Sequence, residues 1–139
     1  MSYILSWEDL SKFQIEDLDR VNGKNNSYAN LRLFGHSKNE AIVTLYRDRH
    51  SWCPYCQKIW LWLELKRVPY KVKKVNMFCY GKKESWYLNK VRSGILPAIE
   101  FEEKIITESD NIIAFLETQF GALGSLLISN NLLKTRELE

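Results

Sequence analysis

Nothing in this 139-residue sequence is apolar for long enough to span a membrane. Cysteine is scarce: three residues, an odd number with no even framework, which excludes a secreted disulfide scaffold and points to a reducing compartment. No internal repeat is visible, and nothing is low-complexity beyond the loop-like run Asn22-Gly23-Lys24-Asn25-Asn26-Ser27. The first residues carry Glu8, Asp9, Glu16 and Asp17, so neither a signal peptide nor a basic transit peptide is expected there. A cytoplasmic protein without a membrane or nucleic-acid partner is the expectation. Metal-ligand patterning is thin as well. His50, Cys53, Cys56 and Cys79 make four candidate ligands, but a zinc site commonly shows a second paired motif and this sequence has none; no metal is expected.

What is present is a pair of cysteines one helical turn apart in His50-Ser51-Trp52-Cys53-Pro54-Tyr55-Cys56-Gln57. The run Ile42-Val43-Thr44-Leu45-Tyr46 before it has the character of a buried strand, and residues 57–66 after it hold strong helix formers without Gly or Pro. Pro54 suits a first helical turn, where a missing N–H is no loss, so Cys53 falls at or next to the N-cap. A thiolate there faces unpaired N–H groups and the positive end of the helix dipole, which favours ionisation and raises reactivity. Arg47, Arg49, Lys58 and a protonated His50 act in the same direction. Cys56, a turn deeper, is better placed to resolve a mixed disulfide on Cys53 than to begin the chemistry. Two inert core cysteines are the plain alternative, weakened by the proline that holds the pair at a helix start. Cys79 reads as an ordinary buried or loop thiol.

The net charge is only +3, yet it is uneven. Residues 42–83 hold ten Lys/Arg against two acids, giving +8, and residues 100–119 hold one Lys against six acids, giving −5. The basic half surrounds the cysteines and favours small anionic thiols. Lys71, Lys73 and Lys74 read instead as the solvated side of a strand, because Tyr70 and Val72 alternate with Lys71 and Lys73.

Taken in order, Ser6 with Asp9 resembles a capping box for a helix across residues 6–21, with Leu10, Phe13 and Leu18 on one apolar face. Residues 1–41 therefore read as an extension packed on the domain. The helix after Cys53 is apolar nearly all round at Ile59, Trp60, Leu61, Trp62, Leu63 and Leu65, more than one sheet face covers, and Val68-Pro69 ends it. A strand follows over residues 70–75, a short helix around residues 84–91, and a turn at Ser93-Gly94. Strands over residues 95–101 and 104–107 pair as a hairpin, and Ser109 is expected to N-cap a last helix that stops at Gly121. The order β-α-β-α-β-β-α implies an α/β domain with a four-stranded mixed sheet and flanking helices over residues 42–121. Residues 122–139 resemble a helix beginning without the body it would pack on.

The element order, the Cys-Pro-Tyr-Cys pair at the head of the first domain helix, and Leu96-Pro97 entering the third domain strand resemble the thioredoxin-like fold. The tetrad is that of dithiol glutaredoxins. Glu108-Ser109, directly after the hairpin, resembles instead the site where glutathione transferases hold the γ-glutamyl end of glutathione. The run from Trp86 through Gly94-Ile95-Leu96-Pro97-Ala98-Ile99-Glu100 is similar to omega-like, cysteine-containing transferases. The resemblance covers residues 42–121. It implies glutathione as co-substrate, Cys53 as the reactive cysteine, and a glutathione groove formed by Tyr55, Lys83, Leu96, Pro97, Glu108 and Ser109. Leu96 would pair through its backbone with the cysteinyl unit, Pro97 would be the cis-proline facing the site, and Lys83 would meet the glycyl end. Cys56 departs from the omega pattern and moves the reading toward dithiol redox chemistry. The helical second domain that normally supplies the co-substrate pocket is not represented, and residues 122–139 read as its stump.

Two functions follow. One is a glutathione-dependent thiol oxidoreductase or transferase acting on thiol or disulfide substrates, with Cys53 attacking and Cys56 resolving. The other is a non-catalytic transferase-like interaction module. In either, the uncovered helix face calls for a homodimer partner or the missing helical domain.

Overall fold

Alternation of the buried Tyr70 and Val72 with the exposed Lys71 and Lys73 sets the faces of residues 70–75, which form a strand inside the sheet, and Val75 at its end is buried on the opposite face from Tyr70 and Val72. The computed structural model describes residues 4–13, 19–77 and 83–123. In chain order the elements are α1 (Trp7–Ser11), β1 (Leu31–Arg32), a 3-10 turn (Lys38–Glu40), β2 (Val43–Asp48), α2 (Pro54–Lys66) and β3 (Tyr70–Val75). Then come α3 (Ser85–Lys90), β4 (Ala98–Phe101), β5 (Lys104–Thr107) and α4 (Ser109–Phe120).

The sheet runs β1-β3-β2-β4-β5. β2 is parallel to β3, with Val43 opposite Tyr70 and Asp48 opposite Val75, and antiparallel to β4, with Leu45 opposite Ile99. The four strands expected from residue 42 onward are all there. The expected count of four is corrected to five, because β1 from the N-terminal segment pairs antiparallel with β3, Leu31 opposite Lys71. The physical gain is a covered edge: β3 would otherwise present a row of unpaired backbone groups. A strand of two residues carries no alternation, so periodicity has nothing to detect.

The core lies on both faces of the sheet. On one, Leu45, Val72 and Ile99 meet Ile59, Trp62 and Leu63 of α2 and Ile112 and Leu116 of α4. On the other, Tyr46, Val75 and Ala98 meet Tyr87 of α3 and Val91. α2 ends as Arg67 turns left-handed (φ 56°), and Val68 N–H bonds back to Leu63 O.

The first helix is shorter than its sequence expectation. α1 carries the Ser6–Asp9 capping box but buries nothing; Leu10 and Phe13 are exposed, and Leu18 lies outside the described residues. Cys79 and residues 124–139 also lie outside them, and Leu123 packs on the core.

Candidate functional site

β2 carries the chain into the cysteine pair through a tight loop. Asp48, its last residue, accepts the Trp52 N–H at 2.6 Å, and Ser51 takes a left-handed φ of 61°. Cys53 then stands as the N-cap of α2 with Pro54 first in the helix, and its Sγ accepts the Cys56 N–H at 3.3 Å. A sulfur in the N-cap role receives an otherwise orphaned helix N–H, an interaction that stabilises negative charge on that sulfur. Cys53 and Cys56 are both free thiols and both buried, Cys56 the more deeply at 1% exposure against 7%. Burial, reinforced by the hydrogen bond with Cys53, pushes the Cys56 thiol well above the ordinary range.

The electropositive field expected around the pair is redistributed. Arg47 is wholly buried rather than solvated: its guanidinium donates to Asp48 O at 2.8 Å, Ser51 Oγ at 2.9 Å and Ser27 O, and lies 4.5 Å over the Trp60 ring. Burial lowers its pKa, against the pull of Asp48. Arg47 ties β2, the cysteine loop and the N-terminal segment together. Lys58 is paired with Asp110 at the start of α4. His50 stacks on the exposed Trp52 at 4.4 Å, and Cys79, the fourth candidate ligand, lies outside the described residues.

Beside the pair, a cleft of about 380 Å³ is lined by Tyr55, Ile95, Leu96, Pro97, Glu108, Ser109 and Asp110. Five of the six groove residues named from the resemblance therefore share one wall-to-wall space. Lys83 is the exception; its stem packs beside Gly94, where an added Cβ would come within 3.1 Å of Lys83 Cγ. The Leu96–Pro97 bond is cis. Glu108 has a left-handed φ of 67° and takes the N-cap position of α4 without a side-chain cap bond, so the cap assigned to Ser109 moves back one residue and Ser109 becomes the first helical residue. An acid in a sparsely populated conformation, with the hydroxyl of Ser109 and the free N–H groups of α4 beside it, leaves those donors available to a ligand carboxylate. A second cleft, of about 450 Å³, lies in the N-terminal segment around Asp19, Lys24 and Arg32, far in sequence from the thiols.

Ile95 and Asp110 in the cleft, and Asp48 under the thiols, were not singled out from the sequence. Asp48 had a signal, a lone acid within a basic stretch at the end of a strand, but nothing in that pattern distinguishes a buried acid from a solvated one.

Residues 52–119 match the family model described as Glutathione S-transferase, N-terminal domain. Among curated proteins, the chain is 38% identical over 68 residues to the chloroplastic glutathione S-transferase DHAR3 of Arabidopsis thaliana, covering 49% of this chain and 25% of that protein. It is 32% identical over 85 residues to pyrimidodiazepine synthase of Drosophila melanogaster, covering 58% and 33%. The matched stretch thus spans a third or less of these relatives' length. Among solved structures, glutathione transferase Omega 3C of Trametes versicolor is 34% identical with a TM-score of 0.51, covering 62% of this chain and 38% of that one. A glutathione transferase homologue of Drosophila mojavensis, solved with bound glutathione, is 26% identical with a TM-score of 0.51, covering 68% and 44%. The thioredoxin-like fold expected from the motifs is the fold these neighbours share with the mixed sheet and flanking helices described above.

Proposed function

We propose that this chain, whose residues 52–119 match the family model described as Glutathione S-transferase, N-terminal domain, is a glutathione-dependent thiol oxidoreductase or transferase working through Cys53. The observation that carries the reading is the placement of Cys53 Sγ at the N-cap of α2, hydrogen-bonded by the Cys56 N–H. A cysteine so held has the electrostatics of an attacking thiol, and a second thiol lies within its reach. Cys53 thiolate attacks the sulfur of a glutathione mixed disulfide, the substrate thiol leaves, and the glutathione now on Cys53 is released by a second glutathione or by Cys56. The cleft from Tyr55 to Asp110 is the glutathione groove in this reading. Glu108 and Ser109 meet the γ-glutamyl end, and the Leu96 backbone beside Pro97 meets the cysteinyl unit. Lys83, whose stem packs beside Gly94 next to the cleft residue Ile95, is the candidate for the glycyl end.

Binding to immobilised glutathione, combined with reduction of hydroxyethyl disulfide by glutathione, tests the proposal. Turnover that disappears in Cys53→Ser supports it. Neither binding nor turnover by the intact chain would leave the second reading, a non-catalytic interaction module, which the exposed Leu61 and Leu65 on α2 favour. Free thiols suit a reducing compartment such as the cytoplasm, whereas the name of the Arabidopsis relative places that protein in the chloroplast. No helix among the described residues is long and apolar enough to cross a membrane.

A further inference from the structure

Asp48 ends β2 as a fully buried carboxylate. An acid taken out of water is retained at a cost unless its oxygens are matched by donors or its charge by a counter-ion. One oxygen is matched: Oδ2 accepts the Trp52 N–H at 2.6 Å and so holds the loop that delivers Cys53. The other, Oδ1, is buried without a hydrogen-bond partner. The obvious counter-ion does not supply one, since the neighbouring Arg47 spends its terminal nitrogens on the main-chain oxygens of Asp48 and Ser27 and on Ser51 Oγ. What surrounds the carboxylate instead is sulfur: a carboxylate oxygen of Asp48 and the Sγ atoms of Cys53 and Cys56 all lie within 4.8 Å of one another.

We propose that Asp48 is the proton acceptor for Cys56 in the resolving step, an assignment that rests on the thiol-exchange reading above. Cys53 carries glutathione as a mixed disulfide, and Cys56 is still a thiol. The Cys56 S–H bond breaks, with its proton passing to the free oxygen of Asp48, directly or through one water. The Cys56 sulfur bonds to the Cys53 sulfur, the bond from Cys53 to glutathione breaks, and the electron pair leaves on the glutathione thiolate. Cys56 and Cys53 end as a disulfide, glutathione ends reduced, and the proton on Asp48 is handed on to the departing thiolate or to solvent. When a glutathione thiol later attacks Cys53 of that disulfide, its proton passes to Asp48 as the new sulfur–sulfur bond forms, Cys56 leaves as a thiolate, and Asp48 gives that proton to it.

The need for such a group follows from burial. Cys56 sits where water does not take its proton easily, and burial raises its pKa, the hydrogen bond with Cys53 adding to the effect and a hydrogen bond from the Asp48 main chain opposing it. The acceptor the site offers is the Asp48 carboxylate, whose Oδ1 is unpartnered and which has an oxygen within 4.8 Å of the Cys56 sulfur. The groups facing that pair are Cys53 of α2, Arg47 of β2 and Tyr87 of α3. Tyr87 is held neutral by burial and donates its hydroxyl to Ile95 O at 2.6 Å, which leaves it committed elsewhere.

The test is a single-turnover measurement on the full chain. Cys53 is loaded with glutathione, excess thiol is removed, and the release of glutathione by Cys56 is followed across pH in wild type, Cys56→Ser and Asp48→Asn. The asparagine keeps the size of the side chain and an oxygen for the Trp52 N–H. The expected result is release slowed roughly tenfold or more at neutral pH, with the gap closing as rising pH lets solvent take the Cys56 proton. If Cys53 takes up no glutathione, or if Cys56→Ser releases it as fast as wild type, the thiol-exchange reading fails and the Asp48 assignment falls with it. If release depends on Cys56 while Asp48→Asn matches wild type at every pH, the Asp48 assignment alone is overturned. Should Asp48→Asn not fold, the carboxyl carbon resonance of Asp48 in the wild-type chain decides. It should titrate again where Cys56 ionises and lose that step in the disulfide form; a resonance blind to Cys56 overturns the assignment.

Discussion

Cys53 and Cys56 are chemically identical side chains three residues apart, and what separates them is which end of a hydrogen bond each occupies. Cys53 Sγ accepts a helix N–H, whereas Cys56 lies a turn inward among buried groups that push its thiol up. Alkylation at mildly alkaline pH should therefore modify Cys53 first and leave Cys56 largely unmodified in the folded chain, as read by mass spectrometry of the digested product. Modification of Cys56 ahead of Cys53 would reverse the assigned roles. These two residues were legible from spacing alone, because a proline between them sets the helix start. Arg47 and Asp48 were not. In sequence they look like the charged boundary of a short strand, yet β2 continues through both, and each finds its partners in the cysteine loop and in Ser27, twenty residues upstream of Arg47. Partners that distant in the chain leave no periodic trace.

Among the elements, the starts of helices hold most of the polar detail. At α4 the cap shifts to Glu108, which leaves the Ser109 hydroxyl without a capping role in the described contacts. Ser109→Ala should then weaken glutathione binding by about 1.5–3 kcal/mol, the size of a lost hydrogen bond to a charged group, with little change in folding stability by thermal unfolding. Loss of stability without loss of affinity would reduce Ser109 to a structural residue of the helix. The 3-10 turn offers a separate test. Glu40 accepts the Ser37 N–H at 2.7 Å and faces His36 Nδ1 at 3.1 Å, and these bonds, the backbone one foremost, hold its carboxyl down to about 2 from an ordinary 4.5. A carboxyl depressed in the folded state contributes stability that is complete above the unfolded value and lost as pH falls through the folded one. Glu40→Gln should accordingly flatten the fall in Tm between about pH 4.5 and 2, and parallel curves for the two proteins would show that the turn melts without consequence. The order of strands and helices from residue 42 was readable from alternation and from Gly and Pro punctuation. The position of β1 was not, for it depends on the bare edge of β3, a feature that exists only once the sheet has formed.

For the molecule as a whole, the unresolved question posed by the sequence was what covers a helix that is apolar all round. α2 buries Cys56, Ile59, Trp62 and Leu63 against the sheet. Its opposite side is divided. Trp60 is partly covered, its indole bonded to Tyr70 OH and its ring under Arg47. Leu61 and Leu65, one turn apart, remain exposed at 54% and 72%. α1, which belongs to the segment expected to help cover such surface, buries no residue of its own, and its Trp7 is also exposed. Two leucines spaced to form one stripe cost stability in water only if nothing meets them, and burying each fully is worth roughly 1.5–3 kcal/mol. A second copy of the chain or a helical body of the kind the transferase resemblance implies would fit that stripe. The joint substitution Leu61→Glu and Leu65→Lys should leave the core untouched, since neither side chain enters it, and should abolish both self-association in sedimentation and the binding of an apolar dye. If the unsubstituted chain sediments as a monomer at high concentration and binds no dye, the stripe is not a docking face. If deletion of residues 1–13, which spares β1 and its cover of the β3 edge, then creates both behaviours, the first helix is what shields α2 in solution.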